Sequence, residues 1–332
     1  MRGSVSTPTP ALPLPGPLPG GGSNSLSAMA DDTARRPPEF PPPWACAWGD
    51  DRFGLWAELE VNAVVQRLRW IEPSEFWMGS PEKEEGRDSD ESPRHRVRLS
   101  EGFWLADTAC TQAMWLAVLG RVENPSHFSD DPDLPVEQVS FDDVALFLHR
   151  LKIEFTEGCD ADLPTEAQWE YACRAGTETA FAFGDTITPQ QVNYDGNYPF
   201  GNAAKGLYRE RTVPVKALPA NRWGLYQMHG NVWEWCDDYR RDYGRNDAET
   251  VGSVLDPAGQ RGSGPVAHRA VRGGSWINDA RLARSAYRDA SLRGNRDDFL
   301  GVRFALRSKS QGPADPVGPE GPLVLGSGPE GS

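Results

Sequence analysis

A chain of 332 residues with a formal charge of −14 has room for one large domain or two ordinary ones. Its acidity argues against nucleic acid as a partner, because phosphate recognition needs a basic footprint. No apolar run approaches the ~18 residues of a membrane span, and the start, Met1-Arg-Gly-Ser-Val-Ser-Thr-Pro8, lacks the apolar core of a secretory signal.

Residues 1–40 are rich in Pro, Gly, Ser and Ala, and 309–332 repeat that composition. Such segments bury too little apolar surface to offset their ordering entropy, so both are expected to be disordered tails around a folded unit at 41–308. The unit opens on an aromatic lead-in, Trp44-Ala-Cys-Ala-Trp-Gly-Asp-Asp-Arg-Phe-Gly-Leu-Trp56. From Val64 the chain alternates, with Val65, Arg67 and Arg69 set against Gln66, Leu68 and Trp70, which predicts a strand. Glu75–Met78 reads as a second strand, and Pro81–Glu91 as a solvated charged loop. His95–Leu99 is a third strand, with Phe103–Leu105 as its expected partner.

Helices are few. Thr111 caps one that buries Met114, Trp115, Val118 and Leu119 and stops at Gly120. Ser140 and Asp143 form a capping box ahead of Val144, Phe147, Leu148 and Leu151, and Thr165 with Gln168 forms another ahead of Trp169, Ala172 and Cys173. Short strands, two or three short helices and much loop give an α+β class. Further on, Trp223, Trp233 and Trp235 are interleaved with Gly224, Gly230 and Asn231. Large apolar rings beside permissive backbone predict a compact core of turns and short strands.

Nucleophile elbows, Walker loops, dinucleotide loops and HExxH are absent. The five His (His95, His127, His149, His229, His268) have no ligand spacing. The five Cys (Cys46, Cys110, Cys159, Cys173, Cys236) include no CxxC pair, which fits reduced thiols in a cytoplasm better than a disulfide framework. Cys173 and Cys236 read as buried small hydrophobes.

Four longer stretches carry a resemblance: Pro135–Asp143, Leu163–Gly176, Trp223–Trp235 and Val271–Trp276, followed by Leu300-Gly-Val-Arg-Phe304. Together they resemble the formylglycine-generating-enzyme (sulfatase-modifying factor) family in the family's own order, over about 65–307. The resemblance implies an elaborated C-type-lectin-like fold with bound calcium. It transfers calcium ligands to the Gln227 side chain, the Gly230 and Val232 carbonyls and the Glu234 carboxylate, a hard-oxygen set suited to the ion. A second site would use Asn193 and the Tyr194 carbonyl, although no acidic partner is evident in 205–210. The other reading is that Asn231 and Glu234 tie turns together.

The family's catalytic residues do not carry over. Its sulfatase-oxidising members bind copper(I) through two Cys, five apart, after the Gly-Gly-Ser-aromatic motif; the matching positions here are Asn278 and Ala283. An amide and a methyl cannot replace two thiolates for a soft ion, so no copper and no catalytic residue is expected.

The lead-in and the tail from Arg272 to Phe304 are also similar to variable proteins of diversity-generating retroelements, whose last ~50 residues display a mutable ligand surface. Residues 269–306 are the candidate variable region. Within it Ile277, Asn278, Asp279, Leu282, Ser285, Tyr287, Asp289, Ser291, Leu292, Asp297, Asp298, Phe299 and Leu300 are reachable from an Asn codon by changing adenines. Gly273, Gly274, Trp276, Arg284, Arg288 and Gly301 would form the fixed frame between them.

Three functions remain in play. The first is a non-catalytic, monomeric protein that binds an unknown protein or small molecule through this surface. The second is a formylglycine-generating-type oxidoreductase acting on a protein or small thiol, and the third an accessory domain with a vestigial site. Fold alone does not choose among them.

Overall fold

The alternation that begins at Val64 is half of a hairpin. In the computed structural model, which describes residues 35–120, 123–156, 158–240, 243, 254–255 and 268–308, β2 (Gly54–Val61) pairs antiparallel with β3 (Val64–Ile71). Asn62 and Ala63 both take positive φ, the backbone of a tight hairpin turn matched to strand twist. The aromatic lead-in is therefore strand as well, because β1 (Ala47–Asp51) pairs with β2 through Gly49↔Trp56. The rings hid this from the pattern, since Trp48 is exposed and Trp56 packs under the Arg67 guanidinium instead of marking a buried face. Two polar residues of β3 are buried as well, Gln66 in phase with Leu68 and Arg69 against the alternation. Gln66 is buried on Asp107 and Thr108, and Arg69 is buried on Asp51.

β4 (Ser74–Met78) and β5 (His95–Leu99) pair with each other, and the short β9 (Val254–Leu255) lies parallel to β5. The expected pairing of Phe103–Leu105 with His95–Leu99 does not form. β6 (Phe103–Ala106) instead lies between β3 and β13 (Ala305–Ser308) in a six-stranded sheet of order β1-β2-β3-β6-β13-β7, closed by β7 (Cys159–Asp162). The burial pattern explains the difference. All four β6 residues are buried, as a central strand requires, whereas β5 alternates and needs cover on one face only.

The helices follow their caps. α1 (Gln112–Leu119) starts where the Met114 amide donates to Thr111 Oγ1 at 3.1 Å. α2 (Phe141–Glu154) and α3 (Glu166–Arg174) start with both arms of their capping boxes formed, at Ser140/Asp143 and Thr165/Gln168. α1 and α2 bury the six-stranded sheet, with Trp115 stacked on Phe147 at 4.9 Å. A four-stranded sheet of order β11-β10-β8-β12 holds the Trp-rich motif. Its strands are β8 (Trp233–Tyr239), β10 (His268–Arg272), β11 (Asp289–Leu292) and β12 (Leu300–Gly301). This is the α+β expectation met: short strands with three short helices among the described residues.

The described chain begins ahead of residue 41, and Phe40 stacks on Trp104 at 6.2 Å, so packing starts earlier than the composition break suggests. Of the tails expected at 1–40 and 309–332, residues 1–34 and the whole of 309–332 lie outside the described residues. No helix of the described chain is long and apolar enough to cross a membrane.

The loop at 81–91 is the largest departure from expectation. Glu91 is wholly buried, and Arg284 joins it by two hydrogen bonds of 2.6 and 2.9 Å while also reaching Glu84 at 2.6 Å and the Gly86 carbonyl at 2.7 Å. Similar internal pairs join Arg288 to Glu166, Arg272 and Arg174 to Glu170, and Arg303 to Glu234. In each, a desolvated guanidinium is matched by a carboxylate and further carbonyls, the condition under which buried charge is tolerated. The frame arginines thus fasten the C-terminal segment onto α3 and the acidic loop.

Candidate functional site

The motif after Trp223 winds through four positive-φ residues, Gly224, Gln227, Gly230 and Asn231. At Gly230 a side chain is excluded twice over, by φ of 74° and by the Asn193 carbonyl, 2.3 Å from where a Cβ would stand. Asn231 is a tie. Its Oδ1 accepts from the Val213 amide at 2.9 Å and from Asn193 Nδ2 at 3.0 Å, and its Nδ2 donates to the Val213 carbonyl at 3.1 Å. Gln227 Nε2 donates to the Pro214 carbonyl at 2.8 Å, so three amides hold the 211–214 segment.

Two of those amides keep an oxygen in reserve. Gln227 Oε1 and Asn193 Oδ1 are buried and have no hydrogen-bond partner among the described residues. They are the leading oxygens of the two calcium sets carried over by resemblance. Glu234, the carboxylate of the first set, accepts from Arg303 at 2.8–3.1 Å and from the Trp169 indole at 2.7 Å. Of the first set, Gln227 thus offers a buried oxygen that a calcium ion could take, whereas both oxygens of the Glu234 carboxylate already accept from Arg303 or Trp169. The second set has Asn193 and Tyr194, both buried.

At the two positions where the resemblance places copper-binding thiols, Asn278 Oδ1 accepts from the Trp233 indole at 2.9 Å and from Ser275 Oγ at 2.6 Å. Ala283 is buried and its carbonyl accepts from His229 Nδ1 at 2.7 Å. These residues do not fit copper(I). Behind them lies a contact that the sequence did not signal, Cys173 Sγ at 3.6 Å from His229 Nε2. Nε2 already accepts from the Ala182 amide at 3.0 Å, which leaves Nδ1 as the N–H donor. Burial pushes the thiol up to about 12 and the imidazole down to about 4. The pair is a neutral thiol beside a neutral ring, because burial outweighs the pull of Ser285, Arg272 and Arg174 on the thiol.

The candidate surface is mostly half-buried. Ile277 and Leu292 are exposed, at 44% and 39%. Asn278, Asp279, Leu282, Tyr287, Asp289, Ser291, Asp297, Asp298 and Phe299 show part of their side chains. Ser285 and Leu300 are buried and drop out of it, while the frame residues Gly273, Gly274, Trp276, Arg284, Arg288 and Gly301 are all buried. Asp289, Ser291 and Leu292 lie on β11, the edge of its sheet. Beside the surface an open cleft of about 400 Å³ lies between Glu85, Tyr198, Phe200, Lys205, Asp279 and Arg281. Only Asp279 of these was expected from sequence; Arg281 follows it on a short 3-10 turn, and the rest converge from loops with no shared motif.

Residues 53–308 match the sulfatase-modifying factor enzyme 1-like domain. The chain belongs to that family. The formylglycine-generating enzyme of Thermomonospora curvata is 33% identical over 193 residues, covering 54% of this chain and 59% of that enzyme, so the chain spans about three-fifths of that relative. A mouse family member named inactive C-alpha-formylglycine-generating enzyme 2 is 31% identical over 181 residues, covering 52% of this chain and 49% of its own. Among solved structures, Treponema denticola variable protein 1 superposes with a TM-score of 0.61 at 25% identity, covering 76% of this chain and 99% of that one. The fold is the C-type-lectin-like one of formylglycine-generating-type proteins and variable proteins.

For this family member, sequence reasoning missed Glu137, a wholly buried carboxyl behind Asp298. Its signal was faint: a Glu between two buried Val-led steps, Pro135-Val-Glu-Gln-Val139, where an apolar residue is expected.

Proposed function

We propose that this chain is a non-catalytic binding protein that uses the 277–299 surface of its C-type-lectin-like scaffold, in the manner of a diversified variable protein. The observation that carries this reading is the chemistry at Asn278 and Ala283. One side chain is committed to Trp233 and Ser275, and the other is a buried methyl. Side chains of mixed character on a frame held by buried Arg–Glu pairs suit recognition, because a rigid support can carry variable loops. The existence of a family member named inactive is in keeping with it. The alternative, an oxidoreductase of the formylglycine-generating type, is favoured by the name of the Thermomonospora relative.

The two readings separate in one assay. Incubated with copper(I), oxygen and a peptide bearing Cys-x-Pro-x-Arg, the protein is expected to give no aldehyde by mass spectrometry. Copper-dependent product above a metal-free control would establish the enzyme reading instead. A template repeat and a reverse transcriptase beside the gene, with differences confined to adenines of the 277–300 codons, would add direct support for diversification.

Calcium has a structural part in this proposal, through Gln227, Gly230, Val232 and Glu234. An ion that binds only the folded state stabilises it by RT ln(1 + [L]/Kd), about 2.7 kcal/mol at ~100 Kd. The melting temperature should therefore fall on chelation and return on calcium addition. The same melting curve in both conditions would remove calcium from the account.

A further inference from the structure

Many buried carboxylates in the described chain meet a guanidinium or ammonium. Glu84 and Glu91 meet Arg284, Glu166 meets Arg288, Glu170 meets Arg272, Glu234 meets Arg303 and Asp107 meets Lys216. Glu137 differs. It is 0% exposed, its Oε1 accepts from the Phe128 amide at 2.9 Å, and its Oε2 has no hydrogen-bond partner among the described residues. The charged side chain acting on it is another carboxylate, that of Asp298. Burial first, and Asp298 to a lesser degree, push the Glu137 carboxyl up to about 7, against the backbone N–H groups of Phe128 and His127 that favour its charge.

A run of aromatic rings leads from the Phe128 segment that Glu137 holds to Asp298. Phe128, whose amide Glu137 holds, lies edge-to-face with Trp276 at 5.5 Å. Trp276 stacks on Tyr208 at 6.3 Å and donates its indole N–H to the Asp298 carbonyl at 3.1 Å. The Tyr208 phenol is pushed up by burial and then by Asp195, Glu210 and Asp298, so the field at that ring is negative as well. The fold already places one cation here from within: the Arg211 guanidinium lies 5.4 Å over the Phe128 ring, and its ion pair is with Asp130.

A ring face next to an unpaired carboxylate is the chemistry that recognises an organic cation, by cation–π attraction together with charge-assisted hydrogen bonds. We propose that Glu137, Asp298, Trp276 and Tyr208 form a site for an ammonium or guanidinium group. This rests on the binding-protein reading and names the chemistry its partner offers at the Asp298 end of the surface. An N–H donor supplies what Glu137 Oε2 lacks. A bare metal ion is less suited, since the described residues hold no group of three His, Cys, Asp or Glu that could bind one.

The test is calorimetry on the full chain with n-butylguanidinium, n-butylammonium and the neutral n-butanol, then with an acetylated, amidated tri-arginine peptide. Both cations should bind and butanol should not. Asp298→Asn and Glu137→Gln should each weaken the cations about ten-fold, while Glu75→Gln, on β4, should not. Glu137→Gln disturbs the Phe128 loop, so the half-exposed Asp298→Asn carries the test by itself, with its melting curve as control. A peptide much tighter than butylguanidinium indicates a basic protein partner, and equal affinity indicates a free amine; either supports the site. Absence of cation binding, butanol binding equally well, or full affinity in Asp298→Asn overturns it. Should the cations fail while a triple replacement at Asp297, Asp298 and Phe299 still alters partner capture, the surface stands and this site falls. Cation binding with no effect of that replacement on any partner keeps the site and removes the broader reading.

Discussion

Replacing Arg284 by Met should cost roughly 3–5 kcal/mol of stability, the usual result of stranding a buried carboxylate. Arg284 is wholly buried, and its removal leaves Glu91, also wholly buried, with no guanidinium, while Glu84 and the Gly86 carbonyl lose theirs too. Burial works against the charge of Glu91, but Arg284 more than offsets it and holds the carboxyl below its usual range; at Glu84 burial wins and the carboxyl lies above it. For Glu91 the sign is that of a depressed acid. Its contribution is present above the unfolded pKa and is lost as pH falls through the folded one. The variant should therefore lose most near neutral pH and approach the parent in acid. Arg284→Met combined with Glu91→Met should recover much of the loss, because an apolar pair of similar volume replaces the ions. Urea melts of the three proteins at pH 7.5 and 4 decide it: a single variant as stable as the parent at pH 7.5 would mean that the pair is solvated.

What could be read from the sequence, and what could not, divides along the range of the interactions. The three helices were legible because a cap and its partner sit three residues apart, as at Ser140 and Asp143, and the apolar spacing that follows is equally local. The family motifs located the C-type-lectin-like scaffold for a different reason: they are long enough to be specific. Strand pairing was less legible. Phe103–Ala106 could join either His95–Leu99 or Val64–Ile71 by pattern, and burial on both faces, a tertiary fact, chose the latter.

The acidic loop shows the same limit at the site. Charges in sequence read as solvated because no local signal says that an arginine 193 residues away will cover Glu91. Likewise, nothing in the sequence says that the amide oxygen of Asn278, a position of the candidate surface, is held by Trp233 and Ser275. Single-residue chemistry at 278 and 283 was legible; the packing that fixes it was not. The Glu137 carboxyl, Tyr208 and the cleft loops come together only through long-range contacts, so no motif spacing could have brought them forward.

Trp235→Ala should be as damaging as the loss of Arg284, roughly 3–5 kcal/mol, for reasons of volume instead of charge. The ring is 0% exposed in the centre of β8, opposite Val271 on β10, and lies edge-to-face with Phe141 at 5.8 Å. Its neighbours lie on β10 and in the first turn of α2, so the space cannot close by moving one side chain. The indole adds a polar tie, donating to the Val139 carbonyl at 3.0 Å, one residue ahead of the Ser140 cap. Truncation leaves that carbonyl unpaired beside a cavity. Trp235→Phe separates the two effects, since it keeps most of the apolar volume and removes only the donor, so it should cost about 1–2 kcal/mol. Thermal and urea denaturation of both variants checks this, with the midpoint read against an unchanged m-value. An alanine variant that melts with the parent would put Trp235 outside the core, and a phenylalanine variant as unstable as alanine would shift the weight from packing to the Val139 hydrogen bond.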